Sequence, residues 1–271
     1  MLAGAGAEIL DTDWIEPEKA ADIRFTGDLA SARTAFDALG GSMDVIVQPE
    51  AGRAKKLFIA DMDSTMITVE CLDELADYAG FKPQVSAITE RAMRGELDFI
   101  AALDERVALL EGMDARVVTR CHEERVTLSP GAAVLVRTMK AHGAHTVLVS
   151  GGFTLFADRV ATEIGFDRAI ANQLEISAGS LTGRVIRPIV DSATKRRVLQ
   201  EESERMGLVR DETLAIGDGA NDLAMVEQSG LGVAYHGKPK LRDAADARID
   251  HGDLSALLYA QGYARKNWIE S

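Results

Sequence analysis

The chain has 271 residues, of which 46% are hydrophobic and 27% are charged, and its formal net charge is −13. This length is enough for one large domain or two modest ones with a sizeable core. The negative charge argues against nucleic acid or an anionic membrane as a partner. It does not exclude an anionic small molecule, but a phosphate site would need a metal ion, a lysine or an arginine to supply local positive charge.

The cysteine content indicates which cellular compartment the protein suits. Cys71 and Cys121 are the two cysteines, and they form neither a disulfide framework nor a CxxC zinc pattern. This usage suits a reducing cytoplasm, which is the expected location. No apolar run reaches transmembrane length, and the first residues lack the basic flank and apolar centre of a signal peptide.

Residues 1–54 are predicted to form a short N-terminal α/β unit. Residues 30–39 have a helical pattern, and the glycines that follow break it. Residues 43–47 are predicted to be a strand, and residues 49–52 a linker. The unit is too short for a large independent core.

From residue 55 to residue 271, strand and helix patterns alternate, which predicts a parallel α/β sheet. The strand candidates are residues 57–60, 146–149, 168–171, 213–216 and 232–235. Residues of about 72–126 break the alternation because they are helical throughout. They are therefore predicted to be a helical insertion between the first two core strands that covers the strand tips as a lid.

Three helices of this core have recognisable ends. Ser129 and Pro130 are expected to supply the cap and first turn of one helix, which ends at Gly143. A second helix is predicted over residues 153–164, where Gly165 stops it. A third is predicted from about residue 193 to residue 206.

Two carboxylates follow directly after the first core strand. The apolar run of residues 57–60 leads directly into Asp61, Met62 and Asp63. Parallel sheets place their sites at such strand ends. There one carboxylate can attack, the other can handle a proton, and both can help to hold a hard cation. Asp-x-Asp also occurs in solvated turns, so the motif needs support from elsewhere in the chain.

Two further signatures would serve a phosphate group. Ser150, Gly151 and Gly152 end an apolar strand, where a hydroxyl and unobstructed backbone N–H groups suit phosphate oxygens. A plain strand-to-helix turn is the alternative. Lys195, near the start of a predicted helix, could neutralise phosphate charge and keep a nucleophile deprotonated. The arginines that follow Lys195 leave a solvated basic face as the other interpretation.

The fourth signature is an acidic turn after the strand of residues 213–216. Asp218 could complete a magnesium site with the first two carboxylates, because Mg²⁺ prefers oxygen ligands. Asp222 would then hold a water molecule of the metal ion rather than the ion itself. The calcium pattern Asp-x-Asp-x-Asp-Gly with a later Glu is absent from the sequence.

Together the four signatures resemble the haloacid-dehalogenase-like phosphatases, and within them those that act on phosphoserine. The resemblance runs from about residue 55 to the C-terminus. It implies a Rossmann-like parallel-sheet core with an inserted helical cap and a Mg²⁺ cofactor. The implied reaction is hydrolysis of O-phospho-L-serine to L-serine and phosphate through an aspartyl-phosphate, the last step of serine biosynthesis.

The resemblance also assigns roles to individual residues. Asp61 would be the nucleophile and Asp63 the proton donor and acceptor. The metal ligands would be Asp61, Asp63 and Asp218, assisted by Asp222. The groups that bind or position the phosphate would be Ser150, Gly151, Lys195 and Asn221.

Four residues of the insertion are assigned to substrate selection by the resemblance alone. Glu70 would meet the ammonium group of phosphoserine and Arg106 its carboxylate, while Met93 and Phe99 would line the pocket. Without the resemblance, Met93 and Phe99 could equally be the core of the lid, and Glu70 and Arg106 exposed helix charges.

Several alternatives stay open on sequence alone. The chain could transfer the phosphoryl group to another alcohol such as homoserine, or hydrolyse another small phosphomonoester. A phosphorylated receiver domain is disfavoured by the length and the helical lid, and an inactive binding module by the complete set of catalytic residue types. A homodimer, a preference for L- over D-phosphoserine and the role of residues 1–54 are undecided. That unit is shorter than the regulatory domains of longer relatives, so feedback control by serine is doubtful.

Overall fold

The computed structural model of the protein describes residues 7–37, 41–93 and 96–270. Its first elements are the antiparallel strands β1 (Glu8–Glu16) and β2 (Ala20–Thr26), which sequence patterning did not reveal, and helix α1 (Leu29–Asp37). The predicted helix over residues 30–39 is therefore present up to the point where the described range stops.

The strand predicted for residues 43–47 is wrong. These residues form no strand and pair with no strand of the described chain. Val47 is buried against Ala32, and its carbonyl oxygen accepts hydrogen bonds from Arg33. Val47 thus packs against α1, and the Arg33 side chain supplies the hydrogen bonds that a neighbouring strand would otherwise make to its carbonyl.

Ion pairs attach the N-terminal elements to the rest of the chain. Both terminal nitrogens of Arg53 lie 2.6 Å from the carboxylate oxygens of Asp22 on β2. The same guanidinium donates to the carbonyl oxygens of Tyr259 and Ala260. Because the planar guanidinium of Arg53 donates to four acceptors at once, it fixes both the distance and the orientation of β2 relative to residues 259–260.

A seven-stranded sheet with the order β6-β5-β4-β3-β7-β8-β9 forms the centre of the molecule. Every neighbouring pair is parallel except β5 and β6. Its strands are β3 (Leu57–Ala60), β4 (His145–Phe153), β5 (Arg168–Ser177), β6 (Ser180–Ile186), β7 (Thr213–Gly217), β8 (Leu231–Tyr235) and β9 (Ala247–Ile249). The predicted α/β class is confirmed, and β6 and β9 are additions to the predicted strands.

Helices account for the segment between β3 and β4, in which the described residues form no strand. We call helices α2–α5 the cap; they are α2 (Cys71–Tyr78), α3 (Lys82–Met93), α4 (Phe99–Ala108) and α5 (Arg116–Arg125). The remaining helices are α6 (Ala132–Ala141), α7 (Thr154–Ile164), α8 (Ser192–Met206), α9 (Leu223–Gln228), α10 (Pro239–Ala244) and α11 (Ala256–Ala260). Within the described ranges, none of these helices combines the length and apolarity needed to cross a membrane.

The sheet is buried on both faces, and alternate residues of its strands enter different cores. Phe58 of β3 packs in a cluster with Phe156 of α7, whereas its neighbour Ile59 packs with Val198 of α8. All four residues of β3 are completely buried. A continuous apolar run is what a doubly covered parallel strand requires.

The start of α6 differs from the sequence prediction. Gly131 precedes the helix in the left-handed region, with φ of 82°, and no side chain caps the first turn. Ser129 takes part through its backbone, because its N–H donates to the carbonyl of Met66 and its carbonyl accepts the N–H of Ala132. The end is as predicted, because α6 finishes at Ala141 and Gly143 follows at φ of 85°.

Gly131 and Gly143 offer a matched test of this packing. A Cβ on Gly131 would lie 2.5 Å from the backbone nitrogen of Ser255, whereas a Cβ on Gly143 would meet nothing within 4 Å. Gly143→Ala should lower the free energy of unfolding by about 1–2 kcal/mol through backbone strain alone. Gly131→Ala should cost roughly 1–3 kcal/mol more because the contact is overpacked. Urea unfolding measures both, and equal losses would contradict this account.

Candidate active site

The carboxyl ends of three neighbouring strands bring the predicted residues together. Asp61 follows β3, the Ser150–Gly152 segment lies near the end of β4, and Asp218 follows β7. Because β3 lies between β4 and β7, these ends form one edge of the sheet. Open α/β sheets bind their ligands at such an edge.

Three buried carboxylates form a cluster at this edge. Asp61, Asp218 and Asp222 each offer an oxygen, and these oxygens lie within 4.8 Å of one another. Such a set of oxygen donors fits a hard divalent cation. Burying carboxylates this close together without positive charge would be costly, so the cluster requires cations of some kind.

Lys195 supplies one of these positive charges. Its side chain is completely buried, and Nζ lies 2.6 Å from Oδ1 of Asp61 and 2.7 Å from Oδ1 of Asp222. Burial by itself disfavours the charged ammonium, but the two carboxylates outweigh it and raise the pKa of Lys195. Arg196 and Arg197 are exposed on the same helix. The interpretation of Lys195 as part of a solvated face is therefore wrong.

Both oxygens of Asp222 are occupied by the protein. Oδ1 accepts from Lys195, and Oδ2 accepts the backbone N–H groups of Asp218 and Gly219 at 3.2 and 3.1 Å. Asp222 thereby orients the ammonium group and shapes the turn that carries Asp218. The indirect role of Asp222 at a metal ion stays a prediction.

Asp63 points to a different part of the edge. It belongs to a short irregular turn, Met62–Met66, which is closed by a hydrogen bond from the N–H of Ile67 to the carbonyl of Met62. One carboxylate oxygen of Asp63 accepts the N–H of Cys71 at 3.2 Å. The other would lie 2.9 Å from a Cβ on Gly152. Among the described residues, the clustered carboxylates do not include Asp63, so its side-chain contact with a metal ion stays a prediction.

The surroundings of Asp63 favour its protonated form. Loss of hydration, followed by the nearby charges of Glu70 and Asp61, raises the pKa of Asp63 to about 8. A carboxyl group with such a pKa still holds a proton at neutral pH, which suits a proton donor.

The Ser150–Gly152 segment is held in place by Asn172, a residue that the sequence analysis did not identify. The Asn172 amide donates to the carbonyl of Gly151 at 2.8 Å, and its oxygen accepts the N–H of Val190 at 2.7 Å. Ser150 is buried, and its Oγ accepts the N–H of Gly152. Asn172 directly follows the predicted strand of residues 168–171, so a polar residue at a strand end was the available signal.

Two more polar residues approach the carboxylates. The Asn221 amide lies 3.4 Å from Oδ2 of Asp61, and its role in positioning the phosphate stays a prediction. Lys238 was not predicted, although it follows the strand candidate of residues 232–235. Its Nζ lies 2.9 Å from Oδ2 of Asp218.

The cap places three of its predicted residues near this edge. The Phe99 ring lies over Gly151, with Cζ 3.3 Å from the position of a Cβ there. The Glu70 carboxylate accepts a hydrogen bond from Ser64 at 2.7 Å. Arg106, two turns beyond Phe99 on α4, donates to the carbonyl of Ala102. Met93 ends α3, but its side chain lies outside the described part of the chain.

The electrostatics of Arg106 connect it with Glu70. Burial lowers the pKa of Arg106, whereas the carboxylates of Asp73 and Glu70 act in the opposite direction. Phe99 and Arg106 are seven residues apart and therefore share one face of α4. The cap thus presents an aromatic ring, an arginine and a carboxylate close to the strand ends.

Comparison with known proteins places this site in a family. Residues 58–227 match the family model of haloacid dehalogenase-like hydrolases. A phosphoserine phosphatase of Archaeoglobus fulgidus is 44% identical over 79% of this chain and 63% of its own length. The chain thus spans less than two thirds of that relative. A phosphoserine phosphatase of Albidiferax ferrireducens is 47% identical over 75% of this chain and 88% of its own length.

A solved structure resembles nearly the whole chain. It is the crystal structure of a haloacid dehalogenase family hydrolase from Salmonella enterica, with a TM-score of 0.84 and 32% identity. The match covers 93% of this chain and 89% of the Salmonella protein. The similarity therefore includes elements on both sides of residue 55.

Lys195 allows a direct test of the charge balance. Lys195→Met should lower the free energy of unfolding by about 3–5 kcal/mol in EDTA, because two buried carboxylates lose their shared cation. Arg197→Met, on the exposed face of α8, should cost about 0.5 kcal/mol or less. Chemical denaturation compares the two variants. Similar small losses in both would mean that Lys195 does not balance the carboxylates.

Proposed function

The chain belongs to the haloacid dehalogenase-like hydrolases, and we propose that it is a magnesium-dependent phosphoserine phosphatase acting in the last step of serine biosynthesis. The observation that carries this proposal is the state of Asp61. One of its oxygens is held by Lys195 and by the N–H of Met62, while the other has, among the described residues, only the long contact with Asn221. A carboxylate anchored on one oxygen at the strand ends is suited to nucleophilic attack with the other.

The buried carboxylates fit the expected cofactor. Asp61 and Asp218 would hold Mg²⁺, with Asp222 acting indirectly and Asp63 as a further predicted ligand. When bound, the ion would neutralise phosphate charge and fix the direction of attack. The choice of Mg²⁺ rests on the all-oxygen donor set.

The protein residues divide the reaction into two displacements. Asp61 attacks phosphorus, and the bond from phosphorus to the serine oxygen breaks as the aspartyl-phosphate forms. Asp63 donates its proton to the departing serine oxygen. In the second step Asp63 takes a proton from the attacking water, the bond from Asp61 to phosphorus breaks, and phosphate is released. Ser150, the N–H of Gly151 and Lys195 would bind the phosphate oxygens.

Selection of phosphoserine would come from the cap. Arg106 would bind the substrate carboxylate and Glu70 its ammonium group, with Phe99 and Met93 along the pocket. A cap over the site also limits access of bulk water to the aspartyl-phosphate. The approach of Phe99 to Gly151 supports this arrangement because it joins the cap to the phosphate-binding segment.

The remaining assignments concern the whole molecule. We place the protein in the cytoplasm because Cys71 and Cys121 are both buried free thiols. We divide the chain at residue 54, before the parallel core, with the cap as an insertion. The small cluster formed by Ala7, Ala32 and Val47 supports a separate N-terminal unit. A homodimer through this unit stays a prediction.

The experiment that tests the proposal is phosphate release from L-phosphoserine with Mg²⁺ and with EDTA. Asp63→Asn should reduce turnover by about 10²–10⁴-fold, as expected for loss of a positioned acid and base. Asp61→Asn should abolish the phosphorylated protein that rapid acid quenching detects in the wild type. Near-normal turnover in either variant would contradict the assigned role, and a wild type inactive on every phosphate ester would contradict the proposed chemistry.

Replacement of Arg106 tests the proposed specificity for phosphoserine. Arg106→Ala should raise KM for phosphoserine by at least about tenfold, because a charge-assisted hydrogen bond is lost. Hydrolysis of p-nitrophenyl phosphate, which has no carboxylate, should be nearly unchanged. Arg116→Ala is the matched cap control, because Arg116 is exposed and paired with Asp114. Equal losses on both esters would contradict carboxylate recognition by Arg106.

A further inference from the structure

Lys238 is a cation at the carboxylate cluster that the proposed reaction does not use. Its Nζ lies 2.9 Å from Oδ2 of Asp218, and its backbone N–H donates to the Asp218 carbonyl at 2.7 Å. The side chain of Asp218 is 10% exposed, whereas that of Lys238 is 63% exposed. Lys238 therefore reaches a buried carboxylate from the solvent side, whereas Lys195 is itself buried.

The backbone that presents Lys238 is specifically arranged. His236 adopts a positive φ of 42°, which is uncommon for a residue with a side chain, and its N–H is held by the carbonyl of Ile249. Gly237 follows in a buried position where a Cβ would lie 2.9 Å from the Cβ of Ala234. The loop after β8 is thus constrained at the two residues directly before Lys238, which turns towards Asp218. Strained backbone of this kind is concentrated at functional sites.

The charges around Lys238 show what it can influence. Burial by itself would lower the pKa of Lys238, but the negative charges of Asp218, Glu70 and Asp222 outweigh it and raise that pKa. As a half-exposed ion pair, the contact with Asp218 contributes little to folding stability. Its effect on a divalent cation is larger, because an ammonium group on the same carboxylate both competes for an oxygen and repels the cation.

We propose that Lys238 is a tethered counter-cation which weakens the binding of a divalent cation at Asp218 and thereby sets the metal affinity of the site. The proposal rests on the metal site of the proposed function and assigns to that site a residue that regulates its affinity. Lys195 and Lys238 then have different roles. Lys195 binds Asp61 and Asp222 inside the protein, whereas Lys238 and the metal ion would both contact the carboxylate of Asp218.

Calorimetric titration of the full-length protein with MgCl₂ tests this inference. Lys238→Met should bind Mg²⁺ about three- to tenfold more tightly than the wild type at low salt, and the difference should shrink at high salt. Lys238→Arg keeps the charge and should stay within about twofold of the wild type. Lys240→Met is the matched control, because Lys240 is exposed two residues further along and has no ion pair in the described part of the chain.

The sign of the change separates the possible roles. A lysine that merely holds Asp218 in position would make Mg²⁺ binding weaker when replaced, and this result would overturn the inference, as would an unchanged affinity. The rise in Tm on adding Mg²⁺ should also be larger for Lys238→Met than for Lys240→Met. If the wild type itself binds no Mg²⁺, the metal site of the proposed function fails as well. Binding in the wild type with no effect of Lys238→Met defeats the inference alone.

Discussion

The electrostatic problem of the site is to hold several carboxylates close together in a buried place. Asp61, Asp218 and Asp222 lie within ion-binding distance of one another, and none could stay charged there without compensation. Lys195 supplies part of this compensation from inside the protein, because its buried ammonium group contacts two of the three carboxylates. The arrangement leaves negative charge uncompensated, and a divalent cation and Lys238 are suited to balance it. In the proposed function, this charge balance at the strand ends would govern both metal binding and the readiness of Asp61 to attack.

The fold provides the precision that this chemistry requires. Parallel strands fix where the chain leaves the sheet, and the irregular turn of residues 62–66 then directs Asp63 away from Asp61. Without that turn, residues two apart in an extended chain would point to the same side. Asp61 is directed to Lys195, whereas Asp63 is directed to Cys71 and Gly152. Two neighbouring carboxylates in different environments are what a nucleophile and a proton donor need. The cap approaches the strand ends through Phe99, whose ring lies next to Gly151.

Much of this organisation could be predicted from the sequence, because apolar runs and the polar residues that end them are local signals. The strands that carry Asp61, Ser150 and Asp218 were predicted, and so was the helix that carries Lys195. The prediction was wrong where the same local sequence pattern is compatible with two different structures. Residues 43–47 look like a strand but pair with no strand of the described chain, and Val47 packs against α1 instead. Ser129 looks like a helix cap, but Gly131 occupies the position before α6 and no side chain caps the first turn.

The sequence by itself determined the parallel α/β class, the helical insertion and the residue types of a phosphate-handling site, because these depend on periodicity and on residues adjacent in the chain. Only the tertiary structure decided which charges meet. Lys195 could have belonged to a solvated basic face, and Asn172 and Lys238 carried no motif of their own. Their roles arise from contacts between residues far apart in the chain, as between Lys238 and Asp218 or Lys195 and Asp61. Such contacts depend on strand order and helix packing, which no local pattern encodes.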